Sequence, residues 1–141
     1  MIEVAVEHLG DVQFEVSARG HKLICDQPVA AGGYDEGMTP PELMLASLAT
    51  CAGYYAVEYL KGRKLASSGT RVRVTAEKAK NPARLDDFHI EIDVPGGLSD
   101  ADRAGVQRAV DRCLIHNTLL FPPHMDVTVA THAEELVADP A

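Results

Sequence analysis

Basic side chains are scarce in this sequence, and the shortage narrows what the molecule can bind. Thirteen lysines and arginines face twenty-one aspartates and glutamates across 141 residues, leaving a formal charge of −8. Such a surface repels phosphate backbones and anionic headgroups, so neither nucleic acid nor a membrane is an expected partner. The few cations are scattered rather than gathered in a block. Long uncharged runs are missing as well. The longest in the apolar centre, LMLASLATCAGYYAV, has fifteen residues, short of the roughly twenty that cross a bilayer. The opening stretch, MIEVAVEHLG, carries acids where a secretory leader needs cations.

Cysteine is rare too. Cys25, Cys51 and Cys113 form an odd set without C-x-x-C spacing, which argues against a disulfide framework or a zinc site. A cytoplasmic location, where thiols stay reduced, is the expectation. That leaves each thiol to redox chemistry or to plain burial. Phosphate-loop and serine-hydrolase patterns are also absent: the glycines at 32, 33 and 37 lack G-x-x-x-x-G-K-[ST], and Ser47 has no G-x-S-x-G around it. His21 and Cys25 share a strand face, but no further ligand has suitable spacing, so no metal is expected.

What is present is a folding chain, 46% hydrophobic, of a length suited to one domain. We place that domain at residues 1–132, with 133–141 as a frayed tail. Ile2, Val4 and Val6 alternate with polar neighbours, as do Val12, Phe14 and Val16. With HKLIC after the turn at ARGH they predict a three-stranded meander. A long loop, DQPVAAGGYDEGMTP, follows, and its glycines suggest a hinged lid. Thr39, two prolines and Glu42 make a capping box, which opens a helix running to about Lys61. TRVRVTAEKAK and FHIEIDV read as a hairpin. Ser99 and Asp102 cap a second helix with a thin apolar face of Ala101, Ala104, Val106 and Val110. MDVTVATH, residues 125–132, alternates as a last strand. Half-buried strands with segregated helices indicate an α+β fold with antiparallel sheets.

The central helix poses a covering problem, because an apolar helix must be buried on all sides. Ala46, Ala49, Thr50 and Gly53 form a stripe of small residues, which predicts close approach by the same helix of a second copy, hence a homodimer. The alternative is one helix lying across a curled sheet. Cys51 falls on a face with Met44, Ser47, Tyr54, Tyr55 and Glu58. Apolar burial makes a thiol inert, and the helix dipole fades within one turn. A reactive Cys51 therefore needs a cation from elsewhere, and Arg19, at the tip of the meander, is the candidate. Glu42 cannot assist within its own chain: it lies about 180° around the helix and about 13.5 Å along it. His116, three residues after Cys113, could bring its imidazole near that sulfur; it could equally be a turn residue. Cys25 reads as a core residue, and His124 as a loop residue.

The stretch RGHKLICDQPVAAGGYDEGMTPPELMLASLATCAGYYAVEYL, together with RAVDRCLIHNTL, resembles the OsmC/Ohr family of osmotically induced and organic hydroperoxide resistance proteins, in its OsmC-like branch. The resemblance spans residues 1 to about 130. It implies an intertwined homodimer, with two central apolar helices wrapped between antiparallel sheets. It also implies a cysteine-based peroxidase that reduces organic hydroperoxides to alcohols in oxidative stress defence, with a dithiol as reductant and no cofactor. On that basis Cys51 takes the peroxidatic place and Cys113 the resolving one. Arg19 would stabilise the thiolate, Glu42 would assist or merely cap the helix, and Met44, Tyr54 and Tyr55 would border the substrate. Two positions depart from the family pattern: Pro41 stands where the better characterised peroxidases carry glutamate, and the surroundings of Arg19 differ. The other readings of the same scaffold are a non-enzymatic small-molecule binder and a redox sensor.

Overall fold

The alternation at the amino end folds as three antiparallel strands, β1 (Ala5–Gly10), β2 (Gln13–Ala18) and β3 (His21–Cys25), paired in the order β1-β2-β3. The computed structural model describes residues 1–131. Val6 faces Val16 across the first pair and Phe14 faces Cys25 across the second. A second antiparallel pair, β4 (Arg71–Ala79) and β5 (Arg84–Asp93), carries Val72 opposite Ile92 and Val74 opposite Ile90. Between the sheets runs α1 (Pro40–Gly62); after them come α2 (Asp100–Val110) and α3 (Leu114–Leu120). The fold is α+β.

The start of α1 is fixed by the capping box. Thr39 Oγ1 accepts from the Glu42 amide at 3.4 Å, and the Glu42 carboxylate accepts from the Thr39 amide at 2.9 Å. One stripe of α1, Leu48, Ala52, Ala56 and Leu60, is buried at i, i+4 spacing against Val106 and Val110 of α2 and against Val72, Ile90 and Ile92 of the β4–β5 pair. By length and composition α1 could cross a membrane; here it is the core helix. The stripe of small residues meets the chain's own sheet at Gly53, where an added Cβ would stand 3.3 Å from Val72 Cγ2. Met44, Ser47, Thr50, Tyr54 and Glu58 remain exposed.

Helix α2 departs from expectation. Ala101 and Ala104 face solvent, and the buried face is Asp102, Gly105, Val106, Ala109 and Val110. The reason is polar. Asp102 Oδ1 accepts from Tyr59 Oη at 2.8 Å and from Arg63 Nε at 2.9 Å, while Ser99 Oγ donates to Oδ2 at 3.1 Å. This carboxylate bolts α2 to the end of α1, and Tyr59 lies flat enough on Gly105 that any Cβ there would collide with its ring.

The glycine loop is not a hinge. Asp26, fully buried at the end of β3, accepts from the amides of Gln27 (2.8 Å), Tyr34 (3.1 Å) and Glu36 (3.1 Å) and from Gln13 Nε2 (3.2 Å). Gly33 and Gly37 press against the carbonyls of Gln27 and Ile24, where no side chain fits. The loop is thus sewn to the meander. The last expected strand also differs. Residues 122–131 pair with nothing among the described residues, and Met125, Val127 and Val129 are 79%, 89% and 89% exposed. No strand edge among the described residues takes up their alternation. His132 and the expected tail, 133–141, lie outside the described residues.

Two of these carboxylates give the fold an acid limit. Burial would raise the Asp26 carboxyl, but the amides of Gln27, Glu36 and Tyr34 and the Gln13 side chain outweigh it and hold it below its ordinary value. The hydroxyl of Tyr59, the Arg63 guanidinium and Ser99 lower Asp102 in the same sense, against burial. A carboxyl depressed in the folded state contributes stability above its unfolded value, and that contribution is lost as pH falls through the folded one. Thermal unfolding should therefore be flat from pH 7 to about 5 and fall steeply below about pH 4. The Asp26→Asn variant should melt lower at pH 7 and show a shallower acid slope than the parent.

Candidate active site

Two of the three cysteines converge. Cys51 stands midway along α1, half-buried, and Cys113 is wholly buried at the residue before α3; all three thiols are free. Helix α3, which the sequence reading missed, begins where the Cys113 sulfur accepts from the His116 amide at 3.5 Å. The cysteine thus occupies the capping position usually held by serine or aspartate. Burial pushes the Cys113 thiol up, and a hydrogen bond with Cys51 pushes it further; the amides of His116 and Ile115 pull back only in part. One sulfur is reachable from outside and the other is sealed behind it.

The remaining predicted residues divide. Met44 lines a cavity with Leu48 of α1, Phe88 of β5 and His116 and Leu119 of α3, whose walls include neither thiol. Tyr54 and Tyr55 line neither of the two principal cavities; their rings meet edge to face at 5.3 Å, with Tyr54 62% exposed on the uncovered side of α1. Glu42 is committed to the cap, where the amide and then the hydroxyl of Thr39 hold its carboxyl below its ordinary value. Arg19 sits in the β2–β3 turn at φ 51°, exposed. Neither β2 nor β3 packs on α1, so within one chain this guanidinium and Cys51 belong to separate bodies. Cys25 is a core residue of the meander, 8% exposed, bridged to Met38. His124 is an exposed loop residue beside Asp126. Among the described residues no three His, Cys, Asp or Glu side chains are grouped to hold a metal.

His116 matters more than its sequence context suggested. Its Nδ1 is buried and has no hydrogen-bond partner among the described residues, and its ring borders both cavities, of about 510 and 470 Å³. The signal was available as the i, i+3 spacing from Cys113 along one helix face, but α3 had to be recognised first.

The family model described as "OsmC-like protein" matches residues 33–128, a span that holds Cys51 and Cys113 but not Arg19. The chain belongs to the OsmC-like protein family. Its fold is similar to that of a Psychrobacter arcticus protein described as a candidate osmotic stress induced and detoxification response protein, at 24% identity and TM-score 0.76, covering 84% of this chain and 88% of that one. An OsmC-like protein from Mycoplasma pneumoniae aligns at 20% identity and TM-score 0.68, over 85% and 87% of the two chains. A Legionella pneumophila protein described as organic hydroperoxide resistance protein OsmC aligns at 16% and 0.60, over 84% and 88%. No curated protein matches the chain. Membership of the OsmC-like family supports a redox or stress-related role, and the likeness to solved structures supports the fold.

Proposed function

We propose that this OsmC-like protein is a thiol-dependent peroxidase that reduces organic hydroperoxides to alcohols. The observation that carries the reading is the asymmetric pair of neighbouring free thiols, Cys51 partly exposed on α1 and Cys113 wholly buried with its thiol pushed up. Cys51 thiolate attacks the distal oxygen of the hydroperoxide, the O–O bond breaks, and the alkoxide leaves with a proton as the alcohol. Cys51 is left as the sulfenic acid. The Cys113 sulfur then attacks the Cys51 sulfur, the S–O bond breaks, and water departs with the Cys113 proton. The disulfide that results protects Cys51 from further oxidation. An external dithiol restores both thiols by exchange.

The working unit on this proposal is a cytoplasmic homodimer of single domains, each spanning 1–132. The accessible surface of one chain is 11090 Å², whereas a compact monomer of 15.2 kDa presents about 7,100 Å². Among the described residues, the meander with Val4, Val6, Leu9 and Leu23, the uncovered face of α1 and the segment 122–131 expose apolar side chains that a second copy would cover. Arg19, which has no ion pair among the described residues, would serve the Cys51 of the other copy. Hydroperoxide consumption with a dithiol reductant tests the enzyme directly. Turnover by the parent and its loss in Cys51→Ser, by about a thousandfold or more, is the expected result. A parent that consumes no hydroperoxide would remove the reading.

A further inference from the structure

The larger cavity, of about 510 Å³, lies between β5 and α2, and no residue of α1 or of the β1–β3 meander lines it. Its walls are two runs joined by a short return. β5 supplies Ile90 and Ile92, Val94, Gly96 and Gly97 make the return, and α2 comes back with Arg103 and Gln107 to Asp111. The two runs match in length. Ile90 to Val94 covers about 13 Å at the rise of an extended chain, and Arg103 to Asp111 covers about 12 Å at that of a helix. The floor is apolar, from Ile90, Ile92, Val94, Leu98, Val106 and Val110. Asp93 stands between Ile92 and Val94, and the pleat turns its carboxylate to the opposite face. Two charges remain, one at each end. Arg103 belongs to the first turn of α2, next to the return, and Asp111 closes the helix on the side of the His116 ring. Neither has an ion-pair partner among the described residues.

We propose that this cavity binds a short apolar peptide with free ends, its carboxylate on Arg103 and its ammonium on Asp111. A cation and an anion set apart by an apolar floor call for a ligand with the same charges in reverse order. Three residues in extended form reach about 10 to 11 Å, the length that the two walls set. The volume is that of an ordinary small-molecule site. Apolar side chains of the peptide lose water on the floor, and the guanidinium can take the carboxylate through two parallel hydrogen bonds. Gln107 lies one helical turn from each charge, where its amide can both donate to and accept from a peptide group. A zwitterion is neutral as a whole, so the overall charge of −8 does not repel it as it repels a simple anion. The site is separate from the thiols and does not rest on their proposed reaction.

The test uses trileucine, N-acetyl-trileucine and trileucine amide on the reduced full-length protein, by calorimetry at low salt. Trileucine should bind, and each blocked form, which lacks one of the two charges, should bind about fivefold more weakly. Crossed variants locate the ends. Arg103→Gln should bring trileucine and its amide to equal affinity while the acetylated form keeps its deficit. Asp111→Asn should do the converse. A loss of general structure would weaken all three ligands alike and would not give this crossed pattern. Gln107→Trp, at an exposed position of α2, should fill the cavity and abolish binding while the midpoint of thermal unfolding stays in place. Cys51→Ser should bind trileucine as the parent does, whatever its effect on hydroperoxide turnover. Trileucine that does not bind, blocked forms that bind as well as the free peptide, deficits that persist in both charge variants, or binding untouched by Gln107→Trp would each overturn the proposal.

Discussion

Cys113→Ser should reduce about two equivalents of hydroperoxide per chain, the first giving the Cys51 sulfenic acid and the second the sulfinic acid, and then stop. The first step needs only Cys51, which this substitution leaves in place on α1, and serine can still cap α3, since a hydroxyl accepts an amide proton at least as well as a sulfur does. What disappears is the second sulfur. The Cys51 sulfenic acid then has no buried thiol beside it, and excess hydroperoxide carries it on to the sulfinic acid, which a dithiol does not reverse. Steady-state turnover should fall by about a hundredfold, while the single-turnover rate stays within a few fold of the parent. Mass spectrometry supplies the check. The parent should lose two hydrogens on oxidation, and Cys113→Ser should gain two oxygens. A variant that cycles like the parent would show that Cys113 does not resolve the intermediate.

Gly105→Ala should damage the fold severely. The new methyl would collide with the Tyr59 ring, and Tyr59 cannot simply swing away, because its hydroxyl is one of three donors on the half-sealed Asp102 carboxylate. Either α2 lifts from α1 or the hydrogen bond breaks. Overpacking of this kind costs about 1–3 kcal/mol, and loss of the polar tie places this site at the upper end of that range. For a domain of this size the midpoint of thermal unfolding should drop by about 8 °C or more. Tyr59→Phe in the Gly105→Ala background should restore it only in small part, because the ring carbons Cζ and Cε2 as well as the hydroxyl oxygen stand where the new methyl would go. Circular dichroism on the three proteins decides the matter.

Local chemistry was legible where it rests on near neighbours. Thr39, Pro40 and Glu42 announce the start of α1, and the alternations at 2–25 and 71–93 announce the two sheets, because capping and pleating involve residues a few positions apart. Cys51 and Cys113 were legible as a pair only through the resemblance of their surroundings to a family. Spacing alone does not say that one caps a helix pointing at the other. Asp26 and Asp102 were invisible for a related reason. Each is an ordinary acid until the fold brings it three or four donors from distant positions, and burying a carboxylate depends entirely on those donors. The mistaken apolar face of α2 follows from the second of them: an ion-paired Asp102 turns inward and rotates Ala101 and Ala104 to solvent. Residues 125–132 were read as a strand from a genuine alternation, but a strand is a property of two segments, and 125–131 find no partner strand among the described residues.

The sulfur of Cys113 ends the backbone ladder of α3 as well as lying against Cys51. Two duties therefore fall on one atom. If that atom is drawn into a bond with its neighbour, the peptide proton of His116 must find a poorer acceptor. A single nuclear resonance in the first turn of a seven-residue helix thereby becomes an internal gauge of oxidation state, readable without any added label.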